Sequence, residues 1–265
     1  MMEKMIFGRY IPVESVIHRM DPRAKLIIVF LFIFVVFLAN NPMTYGLLGV
    51  FTFIALLLSN IKISFIIKGL RFLFWLILFT FLLHIFFTKE GELLVSWGFI
   101  KIYEGGLIQG IYISLRFFFL ILFTSLLTLT TTPIEITDGL ESLLNPLKKL
   151  KFPVHELALM LSIALRFIPT LMDETEKIMK AQQARGVDFS EGSLTTRAKA
   201  IIPLLIPLFI NAFKRADELA TAMEARGYRG GEGRTKYRLL KWDLRDTLAL
   251  LILIALSVTL ILLRN

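Results

Sequence analysis

Five stretches of this chain are apolar over most of a membrane's thickness, and nothing else in the sequence narrows its fold as much. They run from about Ala24 to Ala39, Met43 to Ser59, Phe72 to Phe87, Leu107 to Thr130 and Leu244 to Leu263. A hydrocarbon core of about 30 Å calls for roughly 20 residues of helix. Each stretch therefore reads as one crossing, and Arg23 and Lys25 are expected to snorkel at the entry of the short first one. Composition agrees: 56% of the 265 residues are hydrophobic and the mean hydropathy is +0.71, more than a soluble domain of this length needs. The expected fold is an all-α polytopic membrane protein with about five transmembrane helices.

The chain has no cysteine, which excludes disulfides and thiolate metal sites. Its polar, amphipathic start up to Lys25 carries no small-residue cleavage site behind an apolar core, so no cleavable leader is expected. The formal net charge of +9 is placed unevenly. Arg9, Arg19, Arg23 and Lys25 precede the first span, Lys62, Lys68 and Arg71 separate the second from the third, and residues 132–242 are rich in Lys and Arg. The turn Asn40 to Thr44 is uncharged, and Lys89 to Glu104 is close to balanced. With five spans every basic segment falls on one side, which predicts a cytoplasmic N-terminus and an external C-terminus.

This divides the chain into a membrane region at 1–131, a cytoplasmic helical module at 132–242 and a last transmembrane helix at 243–265. Between the third and fourth spans, short alternating stretches around Trp97 suit a small hairpin or an interfacial segment. In the module, Thr132-Pro133 stops a helix and TPIEITDGLESLLNPLKKL reads as a short amphipathic helix ended by Pro146. VHELALMLSIALRFIPTLMDETEKIMKAQQARG and IIPLLIPLFINAFKRADELATAMEARG then share one layout, apolar first and charged last, with the same Ala-Arg-Gly ending. Aligned on that ending, Glu176 matches Asp217, Ile178 matches Leu219, and Ala181 matches Ala222.

Gly186 and Gly227 would supply the left-handed residue that stops each helix. That puts Arg185 and Arg226 in the last turn, where the negative end of the dipole favours a cation. One such arginine is an ordinary helix end. Two, each beside an uncrowded alanine (Ala184, Ala225), present two planar five-donor forks suited to carboxylates and carbonyls, and suggest docking on two similar partner sites.

SVIHRMDPRAKL (Ser15 to Leu26), LRFIPTLMDETEKIMKAQQARG (Leu165 to Gly186) and LATAMEARGYRG (Leu219 to Gly230) resemble the transmembrane T-component of energy-coupling factor transporters, ABC importers for vitamins and transition-metal ions. The resemblance covers almost the whole chain. It implies a non-catalytic subunit in a prokaryotic cell membrane whose coupling helices dock on two ABC-type ATPase subunits. The ATPases would bind ATP and magnesium, with no cofactor in this chain. The coupling residues it implies are Arg185 and Arg226, flanked by Ala184, Gly186, Ala225 and Gly227. It further implies that apolar faces of the same helices pack on a membrane-embedded substrate-binding S-component.

The residues support parts of this independently. No Gly-rich phosphate loop with Lys-Ser/Thr is present, so the chain is not itself the ATPase. Ala212, Ala216 and Ala220 form a small-residue stripe that admits a close neighbour, within the chain or from a partner. Met160, Met172, Met179 and Met223 suit either core filling or an adaptable apolar contact. His18, His84 and His155 stand alone, without metal-ligand spacing. Arg116 and Arg166 lie in apolar surroundings and are expected to snorkel. The basic tail with Arg229, Arg234, Lys236, Arg238 and Lys241 is explained by anionic headgroups rather than by nucleic acid. The alternative is a self-contained secondary transporter or membrane enzyme. It would need ionisable groups converging at mid-membrane, and the spans have almost none.

Overall fold

A computed structural model describes residues 10–97, 100–189, 193–230 and 239–264. Among these residues, eight α-helices carry the fold: α1 (Pro22–Val36), α2 (Pro42–Leu58), α3 (Ile63–Phe87), α4 (Glu104–Thr130), α5 (Pro133–Leu144), α6 (Val154–Ala184), α7 (Leu194–Ala225) and α8 (Leu244–Leu262). Strands β1 (Leu93–Trp97) and β2 (Ile100–Tyr103) pair antiparallel between α3 and α4, which resolves the segment around Trp97 as a hairpin. The all-α membrane architecture expected from the sequence is observed. Among the described residues, α4, α6 and α8 are long and apolar enough to cross a membrane, while α2 and residues 73–87 are apolar but shorter.

Two boundaries differ from expectation. The basic stretch after Ile61, expected to separate the second span from the third, is helical and continuous with the third span. The apolar first half of α6 is long enough for a span by composition, although its second half carries Asp173, Glu174, Glu176, Lys177 and Lys180.

The described residues separate into two compact units, one of residues 10–142 and 240–264, the other of 143–230 and Leu239. In the first, α1, α2, α4 and α8 share a core in which Phe32 stacks on Phe123 with ring centroids 4.0 Å apart. Leu48, Leu253 and Leu260 are sealed beside them. Helix α3 lies against α4 where Gly106 and Gly110 give it room. A Cβ on Gly106 would stand 2.9 Å from the His84 carbonyl oxygen, and one on Gly110 would stand 3.0 Å from the Phe81 ring. Two glycines four apart thus let the two backbones approach closely.

Polar side chains close one end of this unit. Asp21 caps α1 by accepting from the Arg23 amide at 2.8 Å, and its own amide donates to Asp246 Oδ1 at 3.0 Å. Asp246 is fully buried and its Oδ2 accepts from the Asp243 amide, completing the capping box of α8. The Arg23 guanidinium pairs with Asp21 at 2.8 Å, reaches Ser142 and the Leu240 carbonyl at 3.4 Å each, and lies 5.8 Å from the Trp242 ring centroid. Lys25 does not snorkel. It is 5% exposed, and its ammonium donates to the Thr130 carbonyl at 3.0 Å, Thr131 Oγ1 at 3.2 Å and the His18 carbonyl at 3.3 Å. The last carbonyls of α4 have no partner within their own helix, and a cation that satisfies them also meets the negative end of the dipole.

Arg116 also finds protein partners. Its guanidinium donates to Tyr45 Oη at 3.2 Å and lies 4.9 Å from the Phe37 ring centroid. His84 turns its Nδ1 to the Thr80 carbonyl of its own helix, 2.8 Å away. No group of three potential metal-ligating side chains occurs among the described residues.

Candidate coupling surface

Both Ala-Arg-Gly endings have the same backbone geometry. On α6, Arg185 is the C-cap and Gly186 follows at φ 89°. The Val187 amide donates to the Gln182 carbonyl at 3.1 Å and the Gly186 amide to the Gln183 carbonyl at 2.9 Å. On α7, Gly227 stands at φ 77°, the Tyr228 amide donates to the Met223 carbonyl at 3.0 Å, and the Gly227 amide to Glu224 at 2.9 Å. The crossed 6→1 and 5→2 bonds are those of a Schellman motif, so both chains leave their helices along the same path. Glycine is required for its backbone conformation and not for space, since a Cβ on either would meet nothing within 4 Å.

Ala184, Arg185, Ala225 and Arg226 are all exposed. Neither arginine has a hydrogen-bond or ion-pair partner among the described residues. Two long, charged forks are thus held on helix ends of the same geometry, with no donor committed among the described residues.

The pairing of α6 with α7 decides where these ends lie. Gln182 donates to the Pro203 carbonyl at 3.2 Å. Farther along, Glu174 pairs with Arg215, whose guanidinium also lies 5.9 Å from the Phe167 ring centroid. As residue numbers fall from 182 to 167 on α6 they rise from 203 to 215 on α7, so the helices run antiparallel. Pro203 is level with the Arg185 end. At about 1.5 Å per residue from there to Arg226, the two arginines stand roughly 35 Å apart.

The Gln182 bond has a local cause. Pro207 has no amide hydrogen, which frees the Pro203 carbonyl one turn earlier from its place in the helical ladder. A side-chain amide one turn before Arg185 takes it, fixing that end of α6 to α7. Neither Gln182 nor the Glu174–Arg215 pair was expected from the sequence. The prolines inside a helical pattern were the available signal, because each announces an orphaned carbonyl.

At the other end, Arg226 borders an open cavity of about 900 Å³, together with Arg166, Phe167, Arg215, Glu218 and Arg229. Arg166, on the wall of this space, is exposed. Met223 is half-buried on the same wall, whereas Met160 is 57% exposed. Of the alanine stripe, Ala212 is half-buried and Ala216 and Ala220 are exposed. Helix α7 exposes Ile202, Ile206, Phe209, Ile210 and Phe213, an apolar face much larger than isolated surface residues leave. In the basic tail, Arg234, Lys236 and Arg238 lie outside the described residues.

A model of the family described as "Cobalt transport protein" matches residues 13–237. The protein named "Energy-coupling factor transporter transmembrane protein EcfT" in Bacillus subtilis (strain 168) is 65% identical over 264 residues, spanning 100% of both chains. Proteins of the same name in Listeria innocua and Streptococcus thermophilus are 59% and 54% identical, again over 100% of both chains. The chain belongs to the T-component family of energy-coupling factor transporters. As a T-component it is a multi-pass membrane subunit of a transporter, which agrees with its apolar helices.

Proposed function

We propose that this T-component couples ATP hydrolysis by two ABC-type ATPase subunits to uptake of a vitamin or related micronutrient through a substrate-binding S-component. The observation that carries this reading is the pair of Schellman-capped Ala-Arg-Gly ends, exposed, uncommitted and about 35 Å apart on one antiparallel helix pair. Arg185 and Arg226 each enter one ATPase, flanked by Ala184 and Gly186 or by Ala225 and Gly227. Small neighbours on both sides leave the exposed fork uncrowded.

ATP and magnesium are held by the ATPases, and this chain supplies no cofactor of its own. The exposed face of α7, with Ala212, Ala216 and Ala220, packs on the S-component together with Met160 and Met223. An apolar face that meets no other element of its own unit needs a partner or lipid to cover it. Motion of the two ATPases is passed through the α6–α7 pair, which the Gln182–Pro203 bond and the Glu174–Arg215 pair hold as one lever. The subunit lies in the plasma membrane of a prokaryote with its N-terminus and coupling module cytoplasmic and its C-terminus outside.

The test is co-purification with the ATPases and ATP-driven uptake for Arg185→Ala, Arg226→Ala and the double variant. Losing one partner of a buried, charged interface contact costs about 2–5 kcal/mol, so each single change is expected to weaken ATPase retention by at least tenfold. The double variant is expected to abolish uptake while the chain still inserts. Wild-type uptake by the double variant overturns the assignment.

A further inference from the structure

Beside the core of the membrane unit lies a groove of about 390 Å³ between α1, α2, α4 and α8, closed at one end by the turn at residues 16–20. Its wall is apolar along its length, with Ile28, Phe51, Phe123 and Ala249 in its floor. Leu248 and Ile252 on its rim are each 56% exposed, so it is open to the side. From Arg245 to Ile252 along α8 it is about 10 Å deep. Only two charged residues line it, Lys25 and Arg245, and both are cations in the first turns of their helices, at the same end. No carboxylate lines it.

The two cations differ in what they have left to give. An ammonium has three donors, and those of Lys25 go to three oxygens of the protein. The Arg245 side chain is exposed and has no hydrogen-bond or ion-pair partner among the described residues. Its neighbour Asp246 is not available to it, since both carboxylate oxygens are taken by the Asp21 and Asp243 amides. That end of the groove therefore offers the uncommitted guanidinium of Arg245 at the start of α8, with the C-terminal end of α4 already occupied by Lys25, and the rest offers only hydrocarbon.

We propose that this groove is a binding site for one anionic phospholipid, with the phosphate at Arg245 and an acyl chain laid between α1, α2, α4 and α8. Charge selects the occupant. A transmembrane helix of a partner would fill the apolar part equally well but would not need a cation at the mouth, whereas a phosphodiester does. Lys25 makes no direct bond to it, since its ammonium is spent on the end of α4 and on the His18 carbonyl. On the topology proposed above, the lipid belongs to the cytoplasmic leaflet, where headgroups are anionic. The site does not depend on ATPase docking, and its test does not involve the coupling arginines.

Native mass spectrometry of the full chain in detergent, titrated with phosphatidylglycerol or with phosphatidylcholine of the same acyl chains, tests this. One phosphatidylglycerol per chain is expected to be retained in preference to phosphatidylcholine. Arg245→Gln is expected to lower phosphatidylglycerol retention about fivefold, the factor one basic residue is worth at an anionic surface, and to leave phosphatidylcholine unchanged. Arg245→Lys should restore most of it. Ala249→Trp, which fills the groove, should lower retention of both lipids. Equal retention of the two lipids by the wild type overturns the proposal, as does phosphatidylglycerol retention unaffected by Arg245→Gln. If Ala249→Trp spares lipid and instead lowers recovery of a co-expressed S-component, the groove takes a protein helix and the proposal fails.

Discussion

His18 lies in the turn ahead of α1, with its Nδ1 2.7 Å from Ser15 Oγ, its Nε2 3.0 Å from the Ile11 carbonyl oxygen, and the Tyr10 ring edge-on at 5.9 Å. A carbonyl only accepts, so Nε2 carries the proton and Nδ1 accepts from the Ser15 hydroxyl. Burial lowers the imidazole below its ordinary value of 6.5. Lys25 adds to the effect, while the Ile11 and Leu129 carbonyls and Glu135 oppose it. A folded pKa below the unfolded one means that the unfolded chain binds more protons between the two values. The stability contributed by neutral His18 is therefore fully present above about pH 6.5 and is lost as pH falls through the folded value. Thermal unfolding in detergent is expected to show the wild-type midpoint falling on acidification below about pH 6.5. His18→Gln should flatten that dependence, and an equal acid sensitivity in the variant would show that another group is responsible.

Among the elements, α6 and α7 show how a proline can create a tertiary contact. With Ala at position 207, the backbone amide would take the Pro203 carbonyl, and Gln182 would lose its acceptor. A double-mutant cycle reads this directly. Gln182→Leu alone is expected to cost about 1 kcal/mol by leaving a helix carbonyl unpaired, and much less in a Pro207→Ala background. Equal costs in the two backgrounds would mean that the bond contributes nothing.

Much at this scale is legible in the sequence. Gly186 and Gly227 announce the helix ends, and the alternation around Trp97 announces a strand pair. Apolar run length gives α4 and α8 as helices long enough to span, and α2 and residues 73–87 as shorter apolar ones. What pairs with what is not legible, because no local pattern states that residue 182 meets residue 203 or that Asp246 meets the start of α1. Lys25 departs from the expected snorkelling for the same reason. A lysine at a helix entry snorkels by default, and only the neighbouring end of α4, with carbonyls to satisfy, draws it inward. The exposure of Arg185 and Arg226 follows from the caps, whereas their separation follows from the antiparallel pairing.

For the whole molecule, the uneven placement of Lys and Arg predicts which segments face the cytoplasm, and the lack of cysteine makes this simple to test. Single cysteines at Asn41 and at Arg264 are expected to react with a membrane-impermeant maleimide in intact cells. Cysteines at Gly186 and Gly227 should react only after the membrane is opened. The reverse pattern would invert the topology.

The antiparallel course of α6 and α7 has a consequence for the kind of assembly this subunit can enter. Two like ends on helices of opposite direction are related by an approximate two-fold axis lying across the pair, not by a shift along it. A surface with that relation presents the same feature to two partners that are themselves arranged around a dyad. One asymmetric polypeptide can then sit astride a symmetric pair, with each half of the pair meeting an equivalent handle. If the helices ran parallel, both arginines would fall on one flank and only one member of such a pair could be reached.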